Sequence, residues 1–153
     1  MRVLLQRVTQ GRVLINEIVN GSIERGFVAL VGITHSDTLA HVELLARKTA
    51  NLRVFEDAQG KMNLSALDIG ADIPVVSQFT LYADARKGRR PSFIDAALPD
   101  AASPLVDAFT AALKAEGIQR VETGVFGANM RVEIFNDGPV TILLDSDDLS
   151  SGN

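Results

Sequence analysis

The chain contains no cysteine, which excludes a disulfide framework and any thiolate-bound zinc. That absence fits a reducing compartment. No apolar stretch is long enough to span a bilayer. The opening residues, Met1-Arg2-Val3-Leu4-Leu5-Gln6-Arg7-Val8, reach a second charge too soon for a signal peptide. They read instead as a first strand, in a cytoplasmic protein with no membrane role. Histidine is scarce, and His35 and His41 lie six residues apart, off a common helical face. With H-E-x-x-H also missing, no metal is expected. The nucleophile elbow G-x-S-x-G is missing too, since Ser77 in Val75-Val76-Ser77-Gln78-Phe79 has no flanking glycine. There is no P-loop, and no cofactor is expected. His41 reads as a solvated helix residue. His35, just beyond a buried strand, reads as a helix-start or interface residue at least as readily as a catalytic one.

Two further motifs carry nothing. Gly124-Val125-Phe126-Gly127 has the spacing of a KH loop, but its strand-like neighbours make it a turn. Asn20-Gly21-Ser22 and Asn63-Leu64-Ser65 match the glycosylation sequon without a secretory context to give it meaning.

What is present is a 153-residue chain with 46% apolar and 22% charged residues, enough for one soluble domain with a real core. Fifteen Lys and Arg against nineteen Asp and Glu leave a net charge of −4. Such a balance does not grip long nucleic acid by charge alone. One basic patch stands out, Arg86-Lys87-Gly88-Arg89-Arg90. On composition it reads equally as a solvated face and as a phosphate-binding loop. Its position just after Ser77-Gln78-Phe79-Thr80 favours holding a phosphodiester near a reacting group.

The patterning predicts strands over 2–8 and 11–16, split at Gln10-Gly11, and a turn at Asn20-Gly21. Residues 27–33 form a continuous apolar run, expected as a strand buried on both faces. A helix is expected from Ser36-Asp37, with Leu39, Val42, Ala46 and Thr49 on one face. Ile73 to Phe79 reads as the next buried strand. A second helix is expected with Ser103 as cap, Pro104 in the first turn, Gly117 at the end, and Leu105, Phe109, Ala112 and Leu113 as its stripe. Met130 to Phe135 alternates as a strand, Asn136-Asp137-Gly138-Pro139 reads as a turn, and Val140 to Leu144 as the last strand. The segment 147–153 reads as a polar, frayed tail. The sum is an α+β domain over 1–146: a compact, antiparallel, barrel-like sheet with two main helices.

Two motifs then point to a family. Ser77-Gln78-Phe79-Thr80 resembles the S-Q-x-T motif of D-aminoacyl-tRNA deacylases, and Asn136-Asp137-Gly138-Pro139-Val140-Thr141 resembles their N-x-G-P-V-T motif. Supporting blocks are 32–37, 51–55, 60–63, 86–93 and 122–127, in the right order over nearly the whole chain. The early hairpin, Arg12 to Asn20, departs from the pattern. The resemblance implies a homodimer with active sites at the interface and an esterase acting on the aminoacylated end of tRNA. It also implies a cis Gly138–Pro139 bond, against a sequence prior of only ~5–6% for X-Pro, and places that corner in the partner's pocket.

Hydrolysis of such an ester needs a placed water, oxyanion stabilisation and a grip on the substrate. With side-chain acids and bases scarce, a backbone-built site is expected. In it, Gly138 and Pro139 carbonyls receive the substrate ammonium, so that an L side chain collides with the corner and a D side chain points away. Glycine, which has nothing to collide, would also be accepted. Asn136, Val140 and Thr141 support that corner. Ser77, Gln78, Phe79 and Thr80 line the pocket, the Phe79 and Thr80 N–H groups serving as oxyanion donors. Thr80 is expected to position rather than attack, for want of a basic partner; the ribose 2′-hydroxyl is a candidate to activate water. Arg86, Lys87, Arg89 and Arg90 hold tRNA. Phe126 and Met130 are candidates to pack near the site, and read more readily as core residues. The rival reading is a nucleic-acid-binding module without catalysis.

Overall fold

The N-terminal half is built on one long hairpin. In the computed structural model, which describes residues 1–150, strand β1 (Arg2–Ile15) runs unbroken and turns back through β2 (Ile18–Ile23) and β3 (Gly26–Gly32). Both partners lie antiparallel to β1. The expected break at Gln10-Gly11 is therefore absent. The turn falls at Asn16-Glu17, both with positive φ (50° and 64°), as a two-residue hairpin turn requires. Asn20-Gly21, expected as the turn, lies inside β2, where the register slips between Val13–Gly21 and Leu14–Val19. Asn20 is the extra residue of a bulge, which uses the same small, turn-forming chemistry.

Helix α1 (Leu39–Asn51) follows, then β4 (Phe55–Glu56), β5 (Met62–Leu64), α2 (Ala66–Ile69) and β6 (Ile73–Ser77). After β6 come a 3-10 turn at Phe79–Tyr82, then α3 (Pro99–Ala115), β7 (Val121–Thr123), β8 (Arg131–Asp145) and α4 (Ser146–Ser150). β4 and β5 pair separately. The main sheet is mixed rather than wholly antiparallel, because β3–β6 and β6–β7 are parallel pairs. Parallel neighbours need long crossovers, and α1 with α2, then α3, provide them. The sheet curls into a nearly closed barrel. Across its gap the Asn20 side-chain amide donates to the Thr123 carbonyl (2.9 Å) and Arg120 donates to the Ser22 carbonyl (2.6 Å). The α+β architecture with two long helices is thus present. No helix among the described residues is long and apolar enough to cross a membrane.

β3 is buried along both faces, as its unbroken apolar run implied. Phe27, Ala29 and Val31 join the main core with α1 and α3, while Val28 packs with Val8 and Ile23 on the other side. Phe27 and Phe55 meet at 4.8 Å between ring centroids. Burying each such side chain contributes about 1.5–3 kcal/mol.

Both helices start away from their expected positions. Asp37 does not cap α1; its carboxylate accepts from the Thr34 N–H (2.7 Å) and the Met1 ammonium, and Thr38 becomes the cap residue. Leu39 is consequently exposed, and Val42, Leu45, Ala46, Thr49 and Ala50 form the buried face. α3 begins at Pro99 rather than after Ser103, since a proline at the first position needs no donor. Pro104 falls inside, and the residue whose carbonyl it fails to engage, Asp100, is exposed to water. The end is as expected: Gly117 has φ 112°, and the Ile118 N–H bonds the Leu113 carbonyl (3.1 Å), a Schellman closure joining two buried side chains.

β8 corrects the last expectation. It is one strand, paired with β1 from Leu14–Arg131 to Arg2–Asp145. Asn136-Pro139 is not a turn between strands but part of an outward bulge: Val8 faces Asn136 and Gln6 faces Thr141, leaving 137–140 opposite Arg7. Beyond it, the segment expected as a tail begins with α4; residues 151–153 lie outside the described residues.

Candidate functional site

The strand end after β6 builds the site. β6 stops at Ser77, two residues before the expected Phe79, because the Gln78 N–H bonds the Val31 carbonyl (2.7 Å) and the chain then tightens into the 3-10 turn. Gly32 makes that turn possible. A Cβ there would lie 3.1 Å from the Gln78 carbonyl and 3.0 Å from Leu81 Cβ. The N–H groups of Phe79 and Thr80 open the turn, where a helix has no internal acceptor for them. Among the described residues neither has a backbone acceptor outside the turn, which leaves both able to face an oxyanion. The Gln78 amide donates to Thr80 Oγ1.

Arg2 fastens the turn from below. It donates to the Leu81 carbonyl (2.9 Å) and to Asp145 (2.8 Å), and its guanidinium lies 4.6 Å from the Tyr82 ring centre. Burial, reinforced by the charges of Asp37 and Asp145, pushes the Tyr82 phenol far above its usual value, so it stays neutral and cannot serve as a base.

A cleft of about 560 Å³ opens beside this strand end. Ser77, Gln78 and Phe79 form one wall, Phe93 to Pro99 a second, and Phe126 to Met130 a third. The Phe79 and Phe93 rings meet edge-on at 5.1 Å. The surface is mainly apolar, with few polar groups, as in many small-ligand sites. Phe126 and Met130 therefore line the cleft, the less favoured of their two readings. Phe126 is more than a third exposed. Thr80 is exposed one residue past the wall and does not line the cleft.

The basic loop closes on itself. Asp84 and Ser92 exchange two backbone hydrogen bonds of 2.8 Å, so 85–91 project as a finger. Arg86 is clamped to Asp84 through Nε (2.8 Å) and a terminal nitrogen (2.7 Å). That side-chain clamp, with the Arg86 backbone N–H, holds the Asp84 carboxyl down at about 2. Lys87, Arg89 and Arg90 are exposed on the same finger.

The Gly138–Pro139 bond is cis, as the resemblance implied. Both residues are exposed on the β8 bulge and lie outside the cleft of their own chain. Asn136 braces them: its side chain accepts from the Val140 N–H and donates to Thr141 Oγ1, each at 2.9 Å. His35 Nε2 lies 2.8 Å from the Ile94 carbonyl, and His41 serves the capping box of α1.

The family model described as D-Tyr-tRNA(Tyr) deacylase matches residues 4–145. The chain belongs to this family. Curated D-aminoacyl-tRNA deacylases are similar over almost their full length. That of Thermomicrobium roseum is 58% identical over 153 residues, covering 100% of this chain and 99% of the relative. That of Geobacillus sp. (strain WCH70) is 57% identical over 146 residues, 95% of each. Among solved structures, that of a c-Myc DNA Unwinding Element Binding Protein superposes with a TM-score of 0.89 at 40% identity, covering 95% of this chain and 98% of that one. A probable eukaryotic D-amino acid tRNA deacylase gives 0.80 at 20% identity, covering 94% and 97%, a likeness of fold.

Within this deacylase fold, three of the four residues of the first motif share a cleft wall, and the second motif forms a separate, outward corner. Neither Arg2 nor the wall from Phe93 to Pro99 was expected at the site. Arg2 lay in a strand pattern, and residues 93–98 carry no periodicity to mark them.

Proposed function

We propose that the protein hydrolyses the ester of D-aminoacyl-tRNA, and of mischarged glycyl-tRNA, and spares L-aminoacyl-tRNA. The observation that carries this reading is the 57–58% identity to curated D-aminoacyl-tRNA deacylases along essentially the whole chain. Water adds to the ester carbonyl, the bond to the ribose oxygen breaks, and that oxygen takes the proton. The Phe79 and Thr80 N–H groups face the developing oxyanion. Ser77, Gln78 and Phe79 bound the pocket, and Thr80, held by Gln78, positions rather than attacks.

Handedness is judged by the corner of a second protomer. Gly138 and Pro139 are exposed and lie outside their own cleft's lining, as suits a corner serving a neighbouring copy. Their carbonyls receive the substrate ammonium, and an L side chain collides with their backbone. Asn136, Val140 and Thr141 brace the corner. The working unit is thus a homodimer with sites at its interface. Arg86, Lys87, Arg89 and Arg90 hold the tRNA phosphates, and a cytoplasmic location fits that substrate.

A nucleic-acid-binding role without catalysis has one observation in its favour: the 40% identical relative of solved structure is named for binding a DNA unwinding element. Incubation with matched D- and L-tyrosyl-tRNA separates the two. Loss of the D ester alone supports deacylation; salt-sensitive binding with both esters intact supports the rival.

A further inference from the structure

We propose that Thr34 and His35 are positioning residues that hold one wall of the cleft in place. The wall is the strap 92–98, which belongs to no helix or sheet strand. Three hydrogen bonds sew it to residues 33–35. Thr34 Oγ1 donates to the Asp95 carbonyl (2.6 Å), His35 Nε2 to the Ile94 carbonyl (2.8 Å), and the Ala97 N–H to the Ile33 carbonyl (2.9 Å). Facing a carbonyl oxygen, His35 Nε2 must carry the hydrogen.

Of the strap's own side chains only Ala96 is buried, with the neighbouring Ala97 packed against the core. Ile94 and Leu98 are 78% and 72% exposed. The seam, in contrast, has a firm base: the Asp37 carboxylate, buried against the Met1 ammonium, accepts the Thr34 N–H at 2.7 Å. At its other end the strap begins at Ser92, whose paired bonds to Asp84 close the basic finger. Between these anchors Phe93 meets Phe79 edge-on. One seam therefore sets both the width of the cleft and the footing of the loop offered to tRNA. Its loosening weakens the grip on substrate before it touches the reacting ester.

The inference rests on the deacylation reading, so two readouts are taken on the full chain. In kinetics with D-tyrosyl-tRNA, His35→Ala and Thr34→Val each raise KM roughly three- to tenfold, the worth of one hydrogen bond. kcat stays within about twofold. His35→Gln, whose amide nitrogen has the reach of Nε2, and Thr34→Ser restore KM. In amide hydrogen exchange, His35→Ala speeds exchange across 93–98 while β3 keeps its protection. An unchanged KM with unchanged exchange overturns the proposal, as does exchange that quickens uniformly along with a lower unfolding midpoint. A wild-type chain that leaves the ester intact defeats the deacylation reading instead, and exchange alone then decides the seam. If Thr34→Val fails to fold, the exposed His35→Ala carries the test.

Discussion

Arg7 reaches across from β1 to the β8 bulge, and its Nε donates to the Asp137 carbonyl at 3.1 Å. The same guanidinium donates to the Val54 carbonyl at 2.6 Å and pairs with the Asp137 carboxylate at 3.3 Å, while the residue is only 4% exposed. A buried cation thus ties the exposed corner to the interior. Arg7→Met leaves two carbonyls short of a donor and should cost about 2–3 kcal/mol in urea denaturation. D-tyrosyl-tRNA cleavage should fall further than that loss explains. Arg7→Lys should not restore it, because one ammonium cannot span both acceptors. Full activity in Arg7→Met would separate the corner from catalysis.

Gly138 has φ 125°, and a Cβ on it would lie 2.8 Å from Val140 Cγ2 and 3.1 Å from an Arg7 nitrogen. Gly138→Ala should lower stability by about 1–3 kcal/mol and reduce D-ester cleavage. Pro139→Ala adds no atom to the crowded corner and tests handedness more directly. The ratio of D- to L-tyrosyl-tRNA cleavage should drop; an unchanged ratio would remove the corner from the filter.

Thr80 Oγ1 accepts from Gln78, and no basic side chain is bonded to it among the described residues. Thr80→Ala should lower single-turnover deacylation by less than about tenfold if the hydroxyl only positions. Abolished turnover with intact tRNA binding would make it the nucleophile.

The basic finger should act through charge alone. Replacing Lys87, Arg89 or Arg90 by alanine should weaken tRNA binding for every acceptor sequence and reduce the salt slope by roughly one each. Arg86→Ala should reduce it less, because Asp84 already engages that cation. Filter binding across a series of salt concentrations reads both.

The Asp84–Arg86 clamp also has a defined pH window. A depressed carboxyl contributes in full above its ordinary value of 3.8, and the contribution is lost as pH falls through about 2. An NMR titration of the Asp84 carboxyl should show its midpoint near 2, moving up toward the ordinary value in Arg86→Ala. A midpoint near 3.8 in the wild type would mean the clamp does not form in solution.

Legibility followed the range of the forces involved. β3 was readable because burial on both faces leaves an unbroken apolar run. The Gly117 stop was readable because it depends on local backbone conformation. Asn16-Glu17 was not, since glutamate rarely takes positive φ and Asn20-Gly21 gave a louder local signal that a bulge absorbed. Asn136 to Pro139 looked like a turn for the same reason, its nature being settled by Arg7 on a distant strand. The site divided likewise. Ser77, Gln78 and Phe79 fell together on one wall. Yet the opposing wall around Phe93 is held by bonds to residues some sixty positions earlier, which no local pattern records.

Because the 137–140 excursion sits within a strand paired on both sides of it, its length sets which way everything downstream faces. Val140, Ile142 and Leu144 look inward, while Thr141 and Leu143 look out. A single residue removed or added there inverts that alternation wherever the register beyond it shifts with it, turning Asp145 inward and away from Arg2. The corner's residues are no freer than its length, since Gly138 sits at φ 125° and the Asn136 side chain holds Val140 and Thr141. Length and composition of the corner are constrained together, the first by the pairing on either side and the second by the backbone it must adopt.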